Sequence, residues 1–182
     1  MRDVGPLNPQ FNVKVIIQYL IEFVKHPVEK IKQLPDWSWT SLFILQFVLA
    51  VISGFIAALI KLNFPWGLLS GIILMPIVST IAALLLTLFL YYYFQFFEKK
   101  TEHFRKIFTL VILSSIPFYM FQILSEYFAP VTLIGFAFTS LLGVVGLTEN
   151  FYIQKQRAYQ LVGLLFVLIL VAWILNRQTI QY

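Results

Sequence analysis

Few side chains in this sequence can do acid–base, nucleophilic or metal chemistry, and their spacing argues against most of it. There are two histidines, His26 and His103, and no cysteine. Neither histidine belongs to an HExxH or similar pair, so no metal set is written into the chain. Disulfides and thiolate sites are excluded outright. Ser114 and Ser115 form an adjacent hydroxyl pair, but no base accompanies them to activate a nucleophile. No GxSxG elbow, phosphate-cradling GxxxxGK[ST] loop or dinucleotide fingerprint occurs. The expectation is a protein that is not an enzyme, with no catalytic residue, no cofactor and no metal. Two carboxylates keep some interest. Glu126 is expected toward the outer end of an apolar segment, where Lys61 would complete a polar rim. Glu149, in "GLTENFYIQKQR", stands beside Asn150 and close to Lys155 and Arg157. That loop is a candidate site for a lipid headgroup or partner.

The elements that carry these groups are oily. Of 182 residues, 60% are hydrophobic and 12% charged, too little polar surface to cover a soluble core. Apolar stretches run over about 40–60, 68–97, 107–128, 131–150 and 158–175. At ~1.5 Å per residue, helices of this length suit a hydrocarbon layer of ~30 Å. The fold class is therefore all-α: a polytopic membrane protein of five transmembrane helices, preceded by interfacial amphipathic helices. Residues 1–39 form the cytoplasmic or interfacial segment, 40–176 the bundle and 177–182 a short external tail. The middles of the spans carry no ionisable residue. Proton or ion relays need such groups near the midplane, so a coupled transporter is disfavoured.

Cations set the orientation. Arg2, Lys14, Lys25, Lys30 and Lys32 precede the first span. Lys99, Lys100, Arg105 and Lys106 fall in the second loop, Lys155 and Arg157 in the fourth. Only Lys61 and Arg177 lie on the other side, so eleven of thirteen basic residues share one compartment. The positive-inside rule then places the N-terminus in the cytoplasm and the C-terminus outside. "MRDVGPLNPQ" lacks the regions of a cleavable signal.

Ahead of the first span, Lys14, Gln18, Glu22 and Lys25 recur every three or four residues, one polar stripe on an otherwise apolar helix. Asn8 before Pro9 reads as its N-cap. Such a helix is too short and charged to span and suits the interface. His26-Pro27 breaks it. A second short helix is expected to place Val28, Ile31 and Leu34 on one side until Pro35 stops it. Trp37 and Trp39 are expected at headgroup depth. With Lys25, Lys30, Lys32, Lys99, Lys100, Arg105, Lys106, Lys155 and Arg157 they compose a face for anionic lipid or a partner, worth ~1 kcal/mol per cation. Interleaved acids and oily neighbours argue against nucleic acid.

Small residues and prolines pattern the spans. Gly135, Thr139 and Gly143 repeat every four residues, with Gly146 following; Gly67/Gly71 and Ser79/Ala83 are shorter pairs. These stripes let helices approach closely, inside one bundle or against a membrane-protein partner or second copy. Pro76 and Pro117 are expected to kink the second and third spans by freeing the carbonyls of Ile72 and Leu113. Ser114 and Ser115 are candidates to satisfy that freed region. The kinks are either structural or bound a crevice for a lipid tail.

Three segments carry a family resemblance: "HPVEKIKQLPDWSW", "FRKIFTLVILSSIPFYMF" and "GLTENFYIQKQRAYQLVGLLF". Together with five spans they resemble the Ypt-interacting-protein (Yip) domain family, in its short prokaryotic form. The resemblance implies a helical bundle without catalytic activity that works through protein or lipid contacts in membrane organisation or trafficking. It also implies a bacterial inner membrane, or Golgi or endoplasmic reticulum if the source is eukaryotic. Eukaryotic members are associated with Rab-type GTPases; the long N-terminal region and its YGxP…DLxGP motifs are absent here, which argues against a GTPase partner. The alternative function is a transporter or scramblase for lipid or small apolar solutes, using a crevice between kinked helices.

Overall fold

The computed structural model describes residues 13–61, 66–125, 127–128 and 130–179, and every regular element among them is helical. The helices are α1 (Val13–Lys25), α2 (Pro27–Ile31), α3 (Trp39–Lys61), α4 (Trp66–Leu69), α5 (Met75–Tyr93), α6 (Phe104–Ser125), α7 (Val131–Phe151) and α8 (Lys155–Thr179). A π-helical turn over Ser70–Leu74 joins α4 to α5, and a second over Phe94–Glu98 ends it. Trp66–Glu98 is thereby one continuous helix of 33 residues. Five helices are long and apolar enough to cross a membrane: Trp39–Ile60, Trp66–Glu98, Phe104–Ser125, Val131–Phe151 and Lys155–Leu175. The protein is a five-span, all-α integral membrane protein. The expected Asn8–Pro9 cap and the Glu126–Lys61 rim lie outside the described residues and side chains.

Proline chemistry explains the π turn. Pro76 has no N–H, and its ring crowds the carbonyl four residues back. Just before it, the Met75 N–H bonds to the Ser70 carbonyl, five residues back. The widened turn absorbs the mismatch that a plain kink was expected to absorb. In contrast, α6 continues unbroken through Pro117. The Ser115 hydroxyl donates to the Ile112 carbonyl at 2.8 Å, not to Leu113, while Ser114 Oγ has no partner among the described residues. Neither serine therefore meets the Leu113 carbonyl among the described residues.

The bundle is built around α6, whose spanning window is 56% buried, against 17% for each of the Trp66–Glu98 and Lys155–Leu175 windows. Ile107, Phe108, Ile112 and Leu113 of α6 are fully buried. α3 and α5 pack on one side of it and α7 on another; α8 packs on α7 and reaches the end of the Trp66–Glu98 helix through an Arg157–Glu98 ion pair. Glycine sets two of these distances. A Cβ on Gly54 would come within 2.2 Å of the Gly71 carbonyl oxygen, so the α3 and α4–α5 backbones touch there. A Cβ on Gly135 would meet the Phe121 Cβ at 2.9 Å, at the α6–α7 crossing. Gly135 is thus spent on the α6–α7 contact inside the molecule.

α1 and α2 fold back onto one end of the bundle, α2 seating on α6 and α7. Ile31 is completely buried, but Val28 points outward at 49% exposure. The helix ends at Ile31, so Leu34 reaches the core from extended chain and not from a shared helical face, as had been expected. α1 buries Ile16 and Phe23 yet leaves Val15, Ile17, Ile21 and Val24 exposed. Trp37 meets Tyr19 edge-on, with ring centroids 5.1 Å apart. Trp39 opens α3 and packs on Phe43, Phe104 and Phe108.

Candidate functional site

Burying a polar atom without a hydrogen bond is costly, and a membrane interior offers it no water. Four buried side-chain atoms lack a partner among the described residues: Gln46 Oε1, Ser114 Oγ, Gln122 Oε1 and Thr139 Oγ1. All four residues line one crevice of about 870 Å³, within the range of small-molecule sites. Its walls come from α3, the α4–α5 helix, α6, α7 and α8. Two of these walls, α5 and α8, have no Cα of one within 8 Å of the other. Along α6 the lining runs from Leu110 to Gln122, about 18 Å at the helical rise.

Apolar residues dominate the lining, and no charged side chain contributes. The polar groups are held from behind. Gln46, 1% exposed, donates from Nε2 to the Tyr119 hydroxyl at 2.7 Å. Ser53 Oγ donates to the Tyr119 carbonyl at 3.1 Å, which ties α3 to α6. Turning the Gln46 amide over exchanges an unpaired oxygen for an unpaired nitrogen, so the deficit belongs to the site whichever way the amide faces. Gln122 Nε2 rests on Met75 Sδ at 3.6 Å, a weak acceptor. Thr139 and Ser114 lie near the midpoints of α7 and α6. No carboxylate, histidine, lysine or arginine contributes to the described lining.

A second polar centre fastens the N-terminal helices. Asn150 Nδ2 donates to the Ile31 carbonyl at 2.8 Å and to Gly146 at 3.1 Å, and its Oδ1 accepts the Leu34 N–H at 3.2 Å. One buried amide thus closes the end of α2 onto the end of α7.

A family model described as the Yip1 domain matches residues 21–175. The chain belongs to the Yip1 domain family. No curated protein and no solved structure matches it.

Within this Yip1 domain, the cations expected on a lipid-facing surface divide into two groups. Lys106 Nζ donates to the Asn150 carbonyl at 2.7 Å, and Lys100 Nζ to Phe151 and Tyr152 at 3.3 and 3.2 Å. Both ammoniums cap the negative end of α7, a favourable use of charge at a helix C-terminus. Arg157 pairs with Glu98 at 3.0 Å, Arg105 with Asp36, and Lys30 with Glu22. The Lys30 hydrogen bond, first among several influences, holds the Glu22 carboxyl below its ordinary range. Lys30 also approaches the face of Tyr19, whose hydroxyl burial pushes up to about 12. Lys25, Lys32, Lys99 and Lys155 remain exposed. Five of the residues proposed to meet anionic lipid are therefore engaged in holding the Yip1 domain together.

The fate of the remaining candidates is mixed. Thr139 and Gly143 line the crevice, whereas Gly135 lies in the α6–α7 contact. Glu149 is exposed and takes no part in the Asn150 clamp. Pro76 is buried behind its π turn. His26 and His103 are exposed on separate segments, and no metal-holding cluster of three occurs among the described residues. Gln46, Tyr119 and Gln122 escaped the sequence reading. Glutamine inside an apolar run was the signal for Gln46 and Gln122, which lie deeper in their runs than Gln95 and Gln160 do in theirs.

Proposed function

We propose that this Yip1-domain protein acts without catalysis, holding a bilayer lipid in its lateral crevice and contributing to membrane organisation through that contact. One observation carries the reading: an uncharged, largely apolar crevice has α5 and α8 among its walls without close backbone contact between them, and four side-chain atoms of its lining residues have no partner among the described residues. An apolar cavity facing acyl chains fills with acyl chains, and its inner polar atoms give a headgroup something to bond. The exposed apolar residues of α1 and the exposed Lys25 and Lys32 suit contact with the cytoplasmic leaflet.

Native mass spectrometry of protein released from lipid nanodiscs tests the reading. The wild type is expected to retain lipid, and an Ala82→Phe/Gly143→Leu variant, which fills the crevice, to lose it. Equal retention by both would refute lipid holding at this site.

A second reading, lipid translocation, is favoured by the length of the crevice along α6. Reconstituted vesicles with a fluorescent lipid separate the two. Faster flip-flop than in vesicles carrying the filled variant supports translocation, and an unchanged rate leaves lipid holding.

A further inference from the structure

The unpartnered atoms also constrain which lipid fits. Resting on the lipid-holding reading above, we infer that the crevice selects a lipid with an uncharged, hydroxyl-bearing headgroup of the diacylglycerol type, seated against Gln46, Ser114 and Thr139.

Three chemical alternatives fail against the lining. A phosphate-bearing headgroup would enter a low-dielectric space with no Lys, Arg or His in its walls, and an unpaired buried charge is strongly disfavoured. An occupant that is hydrocarbon throughout would leave all four polar atoms as they are. An amine donor would arrive as a cation and face no carboxylate.

What remains is a neutral group that both donates and accepts. The Gln46 and Gln122 oxygens need a donor, which a hydroxyl supplies. The Ser114 and Thr139 hydroxyls can donate to ester carbonyls or to the same lipid oxygen. The site is built as well as open. Gln46 is 1% exposed and Ser114 5%, and Gln46 is oriented by Tyr119, itself tied to Ser53. Ser114 and Thr139 sit near mid-helix, a depth that a small neutral headgroup reaches at far lower cost than a charged one.

The test uses the full-length protein in phosphatidylcholine nanodiscs containing a photoactivatable diacylglycerol, or the same probe with its hydroxyl capped as a methyl ether. Labelled peptides are then mapped by mass spectrometry. The hydroxyl probe is expected to label crevice peptides of α5 to α8 roughly fivefold more than the ether. In a Gln46→Leu/Gln122→Leu variant, which removes the two oxygens that need a donor, the two probes should label about equally. If that variant does not fold, Gln122→Leu alone, half-buried, carries the comparison and should reduce the preference. Equal labelling of the wild type by both probes would overturn the selectivity while leaving lipid occupancy standing. Absence of crevice labelling by either probe would overturn both. Displacement of the hydroxyl probe by phosphatidic acid in preference to unlabelled diacylglycerol would likewise contradict an uncharged headgroup.

Discussion

Glycine differs in consequence from site to site in this bundle. Gly54 and Gly71 place backbone against backbone, where a methyl group meets a carbonyl oxygen at 2.2–2.4 Å. Gly163 has nothing within 4 Å of a built Cβ, and Gly143 only Val162 Cγ2 at 3.9 Å. Gly54→Ala or Gly71→Ala should therefore destabilise by about 1–3 kcal/mol or more through overpacking. Gly163→Ala should be neutral or stabilising by up to about 1 kcal/mol, from helix propensity alone. Thermal unfolding in detergent distinguishes them, and equal shifts at both sites would contradict the close contact. Asn150→Leu should cost about 2–3 kcal/mol by orphaning the Ile31 carbonyl and Leu34 N–H. Limited proteolysis should then cut between α1 and α3 more quickly. The sequence half-exposed this layer. Gly54 and Ala58 form a small-xxx-small pair as readable as those at Gly67 and Gly135. Asn150 gave no such signal, because its partners lie 116 and 119 residues away.

At the level of elements, the loops are where local and tertiary demands conflict. α5's π turn ends at Lys99 and α7 at Tyr152, both left-handed with φ of 53° and 54°. Left-handed backbone strains a side-chain-bearing residue and suits glycine. Tyr152 is 81% exposed, so Tyr152→Gly removes strain while giving up little packing. It should stabilise by about 1 kcal/mol, measured as a higher unfolding midpoint; a lower midpoint would refute the strain argument. The α1–α2 hairpin has a pH dependence of known sign. Because Lys30 lowers the Glu22 carboxyl, the pair's contribution is present above the ordinary carboxylate range. It is lost as pH falls through the lowered folded value. Amide exchange in α1 should quicken in acid, and Lys30→Met should abolish that response. The span count, the helix class and the break at His26-Pro27 were legible from hydropathy and proline. The π turn at Ser70–Leu74 was not, since a proline specifies that a hydrogen bond is lost and not how the helix adjusts.

For the whole molecule, the decisive fact is which helices fail to meet. α5 packs on α3 and α6, and α8 on α7, with no Cα of α5 within 8 Å of α8 and the Arg157–Glu98 pair bridging one end. Their separation creates the crevice, and no single segment encodes it. Hydropathy sees five similar apolar runs, and only packing makes one of them central and two peripheral. The sequence did hold the ingredients: Thr139 and Gly143 read as packing, Ser114 as a partner for a freed carbonyl, and the prolines as kinks that are either structural or bound a crevice for a lipid tail. The charge alternation carries a further expectation, that the two ends of the chain lie on opposite sides of the membrane. Reporter fusions at each terminus should report opposite compartments, and matching signals would contradict it.

The most direct measurement is an electron cryo-microscopy map of the protein in lipid nanodiscs, at a resolution that shows acyl chains. The account predicts an elongated non-protein density entering between α5 and α8 and ending beside Ser114 and Thr139. A map in which α5 and α8 pack together and close the crevice would contradict it.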